Sequence, residues 1–448
     1  MPAMDRREFV RSAGLAAVGA ALAPHVSGQV EADGVRFVGD GREVGRALGE
    51  LCGSDIRAHM DQVLGAYRAK GLTDTEMIGL SDRLVAFAEK FAPFWLDEAH
   101  ACAGVAGVDP DLYVAYLAGK YRSLFLVSEC TSYLAVGDAT ADGATLFHKT
   151  RDNAPRSQSV YRKRIDHSSR PASFYAVGDT SDTGLMMMVN EHGVAGSADV
   201  GGIPEDRPKG RGVMNPYILR LVAERAENCD QALAILQECV RDGWYAGGSR
   251  VGTNWLLADR HGTGLHFAQN SHEERHEFIR DDTAFLVRGD TAGARCVTGR
   301  KGRVTVVDMN AAANDRSICF PTSISALTVR VDPDRPADLS SVWAALPAWA
   351  PYVPLFGATD CVPRALVGGS YSDAAYAIRM QDGEERPLTG DYVAARTELQ
   401  AKIYRRAASL AERIRGTGDR AGAERLARSG AGEIARRALT FAQSSRER

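Results

Sequence analysis

Ser128-Glu129-Cys130-Thr131-Ser132-Tyr133-Leu134-Ala135-Val136-Gly137, continued through Ala141-Asp142-Gly143 to Thr145-Leu146-Phe147-His148-Lys149-Thr150-Arg151-Asp152-Asn153, is the stretch on which the fold turns. It reads as a strand starting at Cys130, a hairpin turn at Ala141-Asp142-Gly143, and a returning strand. Two antiparallel strands joined by a short turn bring their far ends together, which returns Arg151 and Asp152 to the Cys130 end.

Upstream the texture is different. Ile56, Met60, Val63, Leu64 and Tyr67 fall at helical spacing. Thr73 offers a cap ahead of Met77, Leu80, Leu84, Phe87 and Phe91. Pro93 ends that run, Phe94 to Val105 resumes it, and Asp109-Pro110-Asp111 starts another helix, so residues 40–125 read as helical. Downstream, short strands are expected at Ser173–Val177, Leu185–Val189, Gly193–Ala198, Thr253–Ala258, Leu265–Gln269, Glu277–Ile279 and Phe285–Arg288. A helical stretch from Met214 to Val240, broken at Asn228-Cys229-Asp230, separates the two groups. Strands, two helices and strands again give an α+β fold with two sheets packed between helical layers. Ser325–Val331 reads as a further strand, Ser340–Leu346 as a short helix, and Ala394 to Phe441 as a helical tail interrupted at Gly416-Thr417-Gly418 and Gly430. That tail is either a solvated wrap around the core or a basic surface for a membrane or partner.

The 448 residues are 45% hydrophobic and 25% charged, with a formal net charge of −3. This balance gives no electrostatic reason to expect nucleic acid or an acidic membrane as partner, and points to a small molecule. Arg6 and Arg7 precede Phe9 and a mildly apolar run from Ser12 to Ala23. This pattern is that of a twin-arginine export signal, with cleavage expected between Ala23 and Gln29. The twin-arginine export machinery is therefore an expected partner, and a periplasmic or extracellular location the expected destination. No stretch is expected to make a stable membrane span. The cysteines at 52, 102, 130, 229, 239, 296, 319 and 361 include no CxxC pair, and the chain has no HExxH, Walker loop or strand-borne GxGxxG. No metal and no cofactor is expected.

Cys130 is the candidate nucleophile. A free thiol is weak until a base takes its proton, and neither His148 nor His192 has a triad context. If the Glu129–Cys130 bond breaks, the new α-amino group, with a reference pKa of about 7.7–8.0, sits on the same residue as the thiol and can act as its base. Asp152 would orient that ammonium or hold a substrate amine. Arg151 would stabilise thiolate or bind a carboxylate, the alternative being an exposed Arg-Asp pair in a loop.

In its layout the chain resembles the penicillin acyltransferase-type cysteine Ntn hydrolases, the group of acyl-CoA:6-aminopenicillanate acyltransferase. The resemblance runs over residues 40–345. Gly45, the stretch from Pro93 to Ala106 and the run into Cys130-Thr131 carry it before the nucleophile. After it come Asp142-Gly143, Arg151-Asp152, Asn190-Glu191-His192-Gly193-Val194-Ala195 and Asn254-Trp255-Leu256-Leu257-Ala258-Asp259. Cys130-Thr131-Ser132 with Ala141-Asp142-Gly143-Ala144 is equally similar to the secreted cysteine Ntn dipeptidases.

The resemblance implies a four-layer αββα sandwich, self-cleavage between Glu129 and Cys130, and attack on a linear amide outside the peptide backbone. It divides the chain into a signal peptide at 1–28, a helical propeptide at 29–129, the Ntn-hydrolase domain at 130–375 and a helical C-terminal extension at 376–448. Cys130 becomes the nucleophile and Asp152 the neighbour of its amino group. Ser197 and Asp199 fall near the position where relatives carry an asparagine of the oxyanion hole, Asn254 is a second candidate, and Asn190 shapes the turn before Gly193. Two positions depart from the pattern. Glu129 stands where relatives have Gly, and Val287-Arg288-Gly289-Asp290 stands where many have a Thr-Asn pair, leaving Arg288 or Arg330 as substitutes. Hydrolysis of a small-molecule amide is the leading expectation. Dipeptide hydrolysis, acyl transfer, and a non-catalytic exported binding protein of the same fold are the alternatives.

Overall fold

The computed structural model describes residues 30–31, 34–119, 130–205, 212–244, 252–286, 291–381 and 384–446. In chain order the strands of its two large sheets are β1 (Val30–Glu31), β2 (Gly34–Gly39), β3 (Thr131–Ala135), β4 (Thr145–Asp152), β5 (Gln158–Ile165), β6 (Phe174–Asp179), β7 (Met187–Asn190), β8 (Ala195–Val200), β9 (Thr253–Ala258), β10 (Thr263–Gln269), β11 (Glu274–Arg280), β12 (Thr283–Leu286), β13 (Ser323–Val331), β14 (Ser341–Ala345), β15 (Val353–Phe356) and β16 (Cys361–Val362). The larger sheet runs β1-β2-β5-β6-β7-β8-β9-β10-β11, with β16 also on β2, and the smaller runs β12-β3-β4-β13-β14-β15.

The hairpin expected from the sequence is β3–β4, paired Thr131 to Thr150, Ser132 to Lys149 and Tyr133 to His148. Residues paired across an antiparallel ladder point the same way, and successive ones alternate. Ser132 and Lys149 face the larger sheet: Ser132 Oγ lies 2.7 Å from Ser197 Oγ, and Lys149 Nζ donates to the Ala198 carbonyl at 2.6 Å. Tyr133 and His148 face the opposite way, where the Tyr133 hydroxyl donates to Met309 O in the helix Val306–Asn314 at 2.6 Å.

The sheets therefore pack face to face, with helices outside both. Asn215–Arg225 and Cys229–Arg241 cover the larger sheet, the second capped by Asn228, whose side chain accepts from Gln231 N. Ala292–Thr298, Val306–Asn314 and the tail helices Gly390–Arg415 and Arg420–Arg446 cover the smaller one, the tail docking through Gln400 on Tyr352 and Tyr404 on Trp343. This is the αββα sandwich. Among the described residues no helix is long and apolar enough to cross a membrane.

The region before Cys130 is built into this sandwich. Gly41, Gly45, Gly49 and Gly53 recur every fourth residue along the helix Gly41–Arg68 and let it lie against Phe94–Ala106. A Cβ on Gly45 would fall 2.2 Å from the Glu98 carbonyl oxygen. The contact fixes Glu98, whose carboxylate meets Lys163 of β5 at 2.5 Å and Arg220 at 2.6 Å, all three side chains fully buried. The same region supplies β2, which pairs in parallel with β5 inside the larger sheet.

Two expectations need correction. Ser340–Leu346 is the strand β14, not a helix, because Val342 and Trp343 fill a strand buried on both faces, where no alternation remains to mark it. The second concerns the tail, where Gly430 does not interrupt Arg420–Arg446; it lies inside that helix, where a Cβ would meet the Leu410 side chain at 2.3 Å.

Candidate active site

Cys130 sits immediately before β3, partly open to solvent. The desolvation imposed by packing pushes its thiol pKa up. Lys149 acts against that shift, the charges of Asp199 and Asp152 reinforce it, and a hydrogen bond from the Asp152 backbone N–H opposes it. Cys130, Lys149, Asp199 and Asp152 thus form one electrostatic unit, assembled from the start of β3, the end of β4 and the end of β8.

Lys149 is buried and bridges to Asp199 Oδ1 as well as to the Ala198 carbonyl. A buried ammonium is tolerable only when its protons are matched in this way. Asp152 is buried too. Its Oδ1 accepts from the Ser323 hydroxyl, and its Oδ2 has no hydrogen-bond partner. Burial lifts its pKa from 3.8 to about 7, against the opposing pull of Ser323, Arg379 and Lys149. Arg379 arrives from the helix Ser370–Arg379 and donates to the carbonyls of Ser323 and Phe320, which fixes the strand end carrying Ser323.

The remaining expected site residues divide into two groups. Ser197 and Asp199 reach the unit, Ser197 through Ser132 and Asp199 through Lys149. Asn254 pairs with Asp199 across the β8–β9 ladder; its side-chain N–H donates to Gly201 O, and its Oδ1 accepts from His266 Nε2 at 2.9 Å. Arg151 is buried and bonds Asp179 and Gln158. Asn190 spends its amide on Ala223 O and Ala226 O and its carbonyl on His192 N and Val194 N, which holds the β7–β8 turn. Arg330 pairs with Asp142 at the far end of the hairpin and does not substitute for any contact near Cys130. Glu129, Arg6, Arg7 and Arg288 lie outside the described residues. The tryptophans and tyrosine at 343, 349 and 352 are core residues under the tail helices.

His148 faces away from the thiol, between Thr328 Oγ1 at 2.7 Å and Thr150 Oγ1 at 2.9 Å. Burial depresses its pKa to about 3, so it is neutral and no base for Cys130. Lys149, Ser323 and Arg379 were not foreseen. Lys149 had a usable signal: a lysine inside a strand that opens Thr145-Leu146-Phe147, in step with Arg151 two positions on, demands a buried acid. Arg379 had none. Among the described residues no cluster of His, Cys, Asp and Glu suits a metal ion.

The sandwich thus sets a cysteine at the start of an inner strand, with Lys149, Asp199 and Asp152 acting on its thiol. The profile of the family described as acyl-coenzyme A:6-aminopenicillanic acid acyl-transferase matches residues 139–288, which include Lys149, Asp152, Ser197, Asp199 and Asn254 and begin after Cys130. This is the family whose likeness the sequence carries. No curated protein matches. Among solved structures, penicillin V acylase from Agrobacterium tumefaciens is similar at 9% identity and a TM-score of 0.36, over 51% of this chain and 86% of that one. The Caenorhabditis elegans N-acylethanolamine-hydrolyzing acid amidase ortholog gives 9% and 0.35, over 46% and 95%. The conjugated bile acid hydrolase of Clostridium perfringens, in a mutant form, gives 10% and 0.34, over 48% and 88%.

Proposed function

We propose that the protein is an exported cysteine amidohydrolase that activates itself by cleaving the Glu129–Cys130 bond and then hydrolyses linear amides through an acyl-enzyme on Cys130. The observation that carries this reading is the carboxylate of Asp152. It is buried, one oxygen is unmatched, and its backbone N–H reaches the Cys130 sulfur. An ammonium created on Cys130 would supply the missing donor.

In the reaction, the neutral α-amine of Cys130 takes the thiol proton as sulfur attacks the amide carbonyl. The S–C bond forms, the carbonyl becomes a tetrahedral oxyanion, and we assign the uncommitted second N–H of Asn254 as one of its donors. Collapse breaks the C–N bond, and the α-ammonium returns its proton to the leaving amine. Water then attacks the thioester with the same amine as base, releasing the carboxylic acid and restoring the thiol. Lys149 offsets negative charge on sulfur, and Asp199 holds Lys149 in place. Hydrolysis is favoured over acyl transfer because an exported enzyme meets water in excess and no acyl-CoA. The N-terminal residues 1–28 serve as the twin-arginine signal in this reading.

N-terminal sequencing and intact mass of the purified protein beside Cys130→Ala test it. A fragment beginning Cys-Thr-Ser-Tyr in the wild type and absent from the variant is the expected result, with release of amine from simple amides by the wild type alone. One intact chain in both would remove the base and leave the binding-protein alternative.

A further inference from the structure

The side chain of Asn254 is fixed from two directions. Its Nδ2 donates to the Gly201 carbonyl, and its Oδ1 lies 2.9 Å from His266 Nε2. A backbone carbonyl can only accept, so Nδ2 must face Gly201 and Oδ1 must face the imidazole. His266 Nε2 therefore carries a proton. Burial lowers the His266 pKa against the pull of Glu277, and the bond needs no charge. Nε2–H is present in one neutral tautomer and in the imidazolium alike.

The ladder sets this pair near the thiol. Ser197 pairs with Leu256, and Leu256 with His266, so His266 shares the face that Ser197 turns to Ser132. Asn254 shares it too, paired with Asp199, whose charge acts on Cys130. Across β9 and β10, Asn254 and His266 are diagonal neighbours. Packing alone does not account for the histidine. It is half-buried and lines a cavity of about 470 Å³ with Leu256, Glu277 and Ile279. Among the described residues its Nδ1 has no hydrogen-bond partner, and its one hydrogen bond goes to Asn254.

A side-chain amide has nearly the same shape when turned over. Turned, Asn254 would present its oxygen, which repels the oxyanion that an N–H should bind. Resting on the reading of Cys130 as nucleophile and Asn254 as oxyanion donor, we propose that His266 is a positioning residue. Its Nε2–H holds the Asn254 carbonyl, so that the free N–H of the amide stays aimed at the developing oxyanion.

Two labels of Cys130 test this. With p-nitrophenyl acetate the sulfur attacks the ester carbonyl, the thiol proton passes to the α-amine, an oxyanion forms, and p-nitrophenolate leaves the acetylated thiol. With iodoacetamide the S–C bond forms as iodide leaves, and no oxyanion arises. Peptide mapping by mass follows both rates at Cys130, and their ratio cancels changes in thiol reactivity. His266→Leu is expected to lower the acetylation-to-alkylation ratio about 10-fold, less than loss of a whole oxyanion donor. His266→Gln, whose amide N–H can donate in place of Nε2–H, is expected to restore most of it. In Asn254→Ala, adding His266→Leu is expected to cost nothing more, whereas a merely structural role would give additive losses. An unchanged ratio in His266→Leu, an equal loss in His266→Gln, or additivity overturns the proposal. Nitrogen NMR of isotope-labelled histidines at neutral pH decides on the wild type alone, should a variant fail to fold. The His266 signal is expected to be that of the Nε2–H tautomer, and the Nδ1–H tautomer overturns the proposal. If iodoacetamide labels Cys130 but the ratio ignores His266, only the positioning role fails. If it does not label Cys130, the nucleophile reading fails and the proposal falls with it.

Discussion

The two faces of the β3–β4 hairpin bury polar groups in opposite ways. On the outer face, Tyr133, His148, Thr150, Thr328 and Asn310 are neutral and close on one another: His148 lies between two threonine hydroxyls, and Thr328 Oγ1 donates to Asn310 Oδ1. Thr131 Oγ1, at the Cys130 end, is the exception that finds no partner. The inner face carries full charges at Lys149 and Arg151, matched by Asp199 and Asp179, and leaves Asp199 Oδ2 open, while Asp152, in step with His148 and Thr150, leaves a second acceptor open at the end of β4 where Cys130 begins. One residue of offset along the same strand separates a satisfied network from an unfinished one. In a buried sheet, unfinished hydrogen bonding is expensive, and at the Cys130 end it leaves acceptors that chemistry can use.

Lys149→Met tests this contrast hardest. It strands the Asp199 carboxylate in the core, and the expected loss is about 3–5 kcal/mol of stability. Chemical denaturation on the Cys130→Ala background, where the chain stays whole, measures it; a cost under roughly 1 kcal/mol, the scale of an exposed ion pair, would remove the inner face's claim to be charged and dry.

A second test uses pH. Burial raises the Asp152 pKa from 3.8 to about 7, so the folded state binds its proton more tightly than the unfolded chain. That contribution is complete below the unfolded pKa and is lost as pH rises through the folded one. Asp152→Asn should therefore gain on the wild type across this window, by at most about 4 kcal/mol at 1.36 kcal/mol per unit. His148 runs the other way. Its pKa falls from 6.5 to about 3, so its contribution is present above the unfolded value and lost as pH falls through the folded one. His148→Gln should remove that acid-side loss. Denaturation curves taken across pH for both variants check the opposed slopes, and parallel curves would show that the middle and the end of β4 do not differ in charge state.

The smallest effect belongs to the outer face. Thr328→Val removes one hydroxyl from a neutral network and should cost about 1–3 kcal/mol while leaving amide turnover per folded molecule unchanged. A large loss of turnover would mean that the faces are coupled through the strand.

Much of this hairpin was legible because its turn and its strands are local. Cys130 and Asp152 come together through one short connection, whereas the alternation along β4 that puts Lys149 on the face of Arg151 was present in the sequence and was not used. The β5 strand, Gln158–Ile165, was not read, since Arg162, Lys163 and Arg164 look like surface. Lys163 is wholly buried only because Glu98 reaches it from a helix 65 residues earlier. Arg379 was invisible for the same reason, being placed by the fold's closure rather than by anything near it in sequence. The helical character of the tail and its break at Gly416-Thr417-Gly418 were foreseen from composition, but its docking through Gln400 and Tyr404 was not.

The placement of β2 inside the larger sheet has a further consequence for a chain that is cut at residue 129. Before cutting, β2 and β5 are tethered and find each other at a fixed effective concentration; afterwards, reassembly of the same sheet is a bimolecular event. The mature protein would then be held together by the slowness of its unfolding, its recovery from denaturant falling with dilution, while the uncut Cys130→Ala chain refolds independently of concentration.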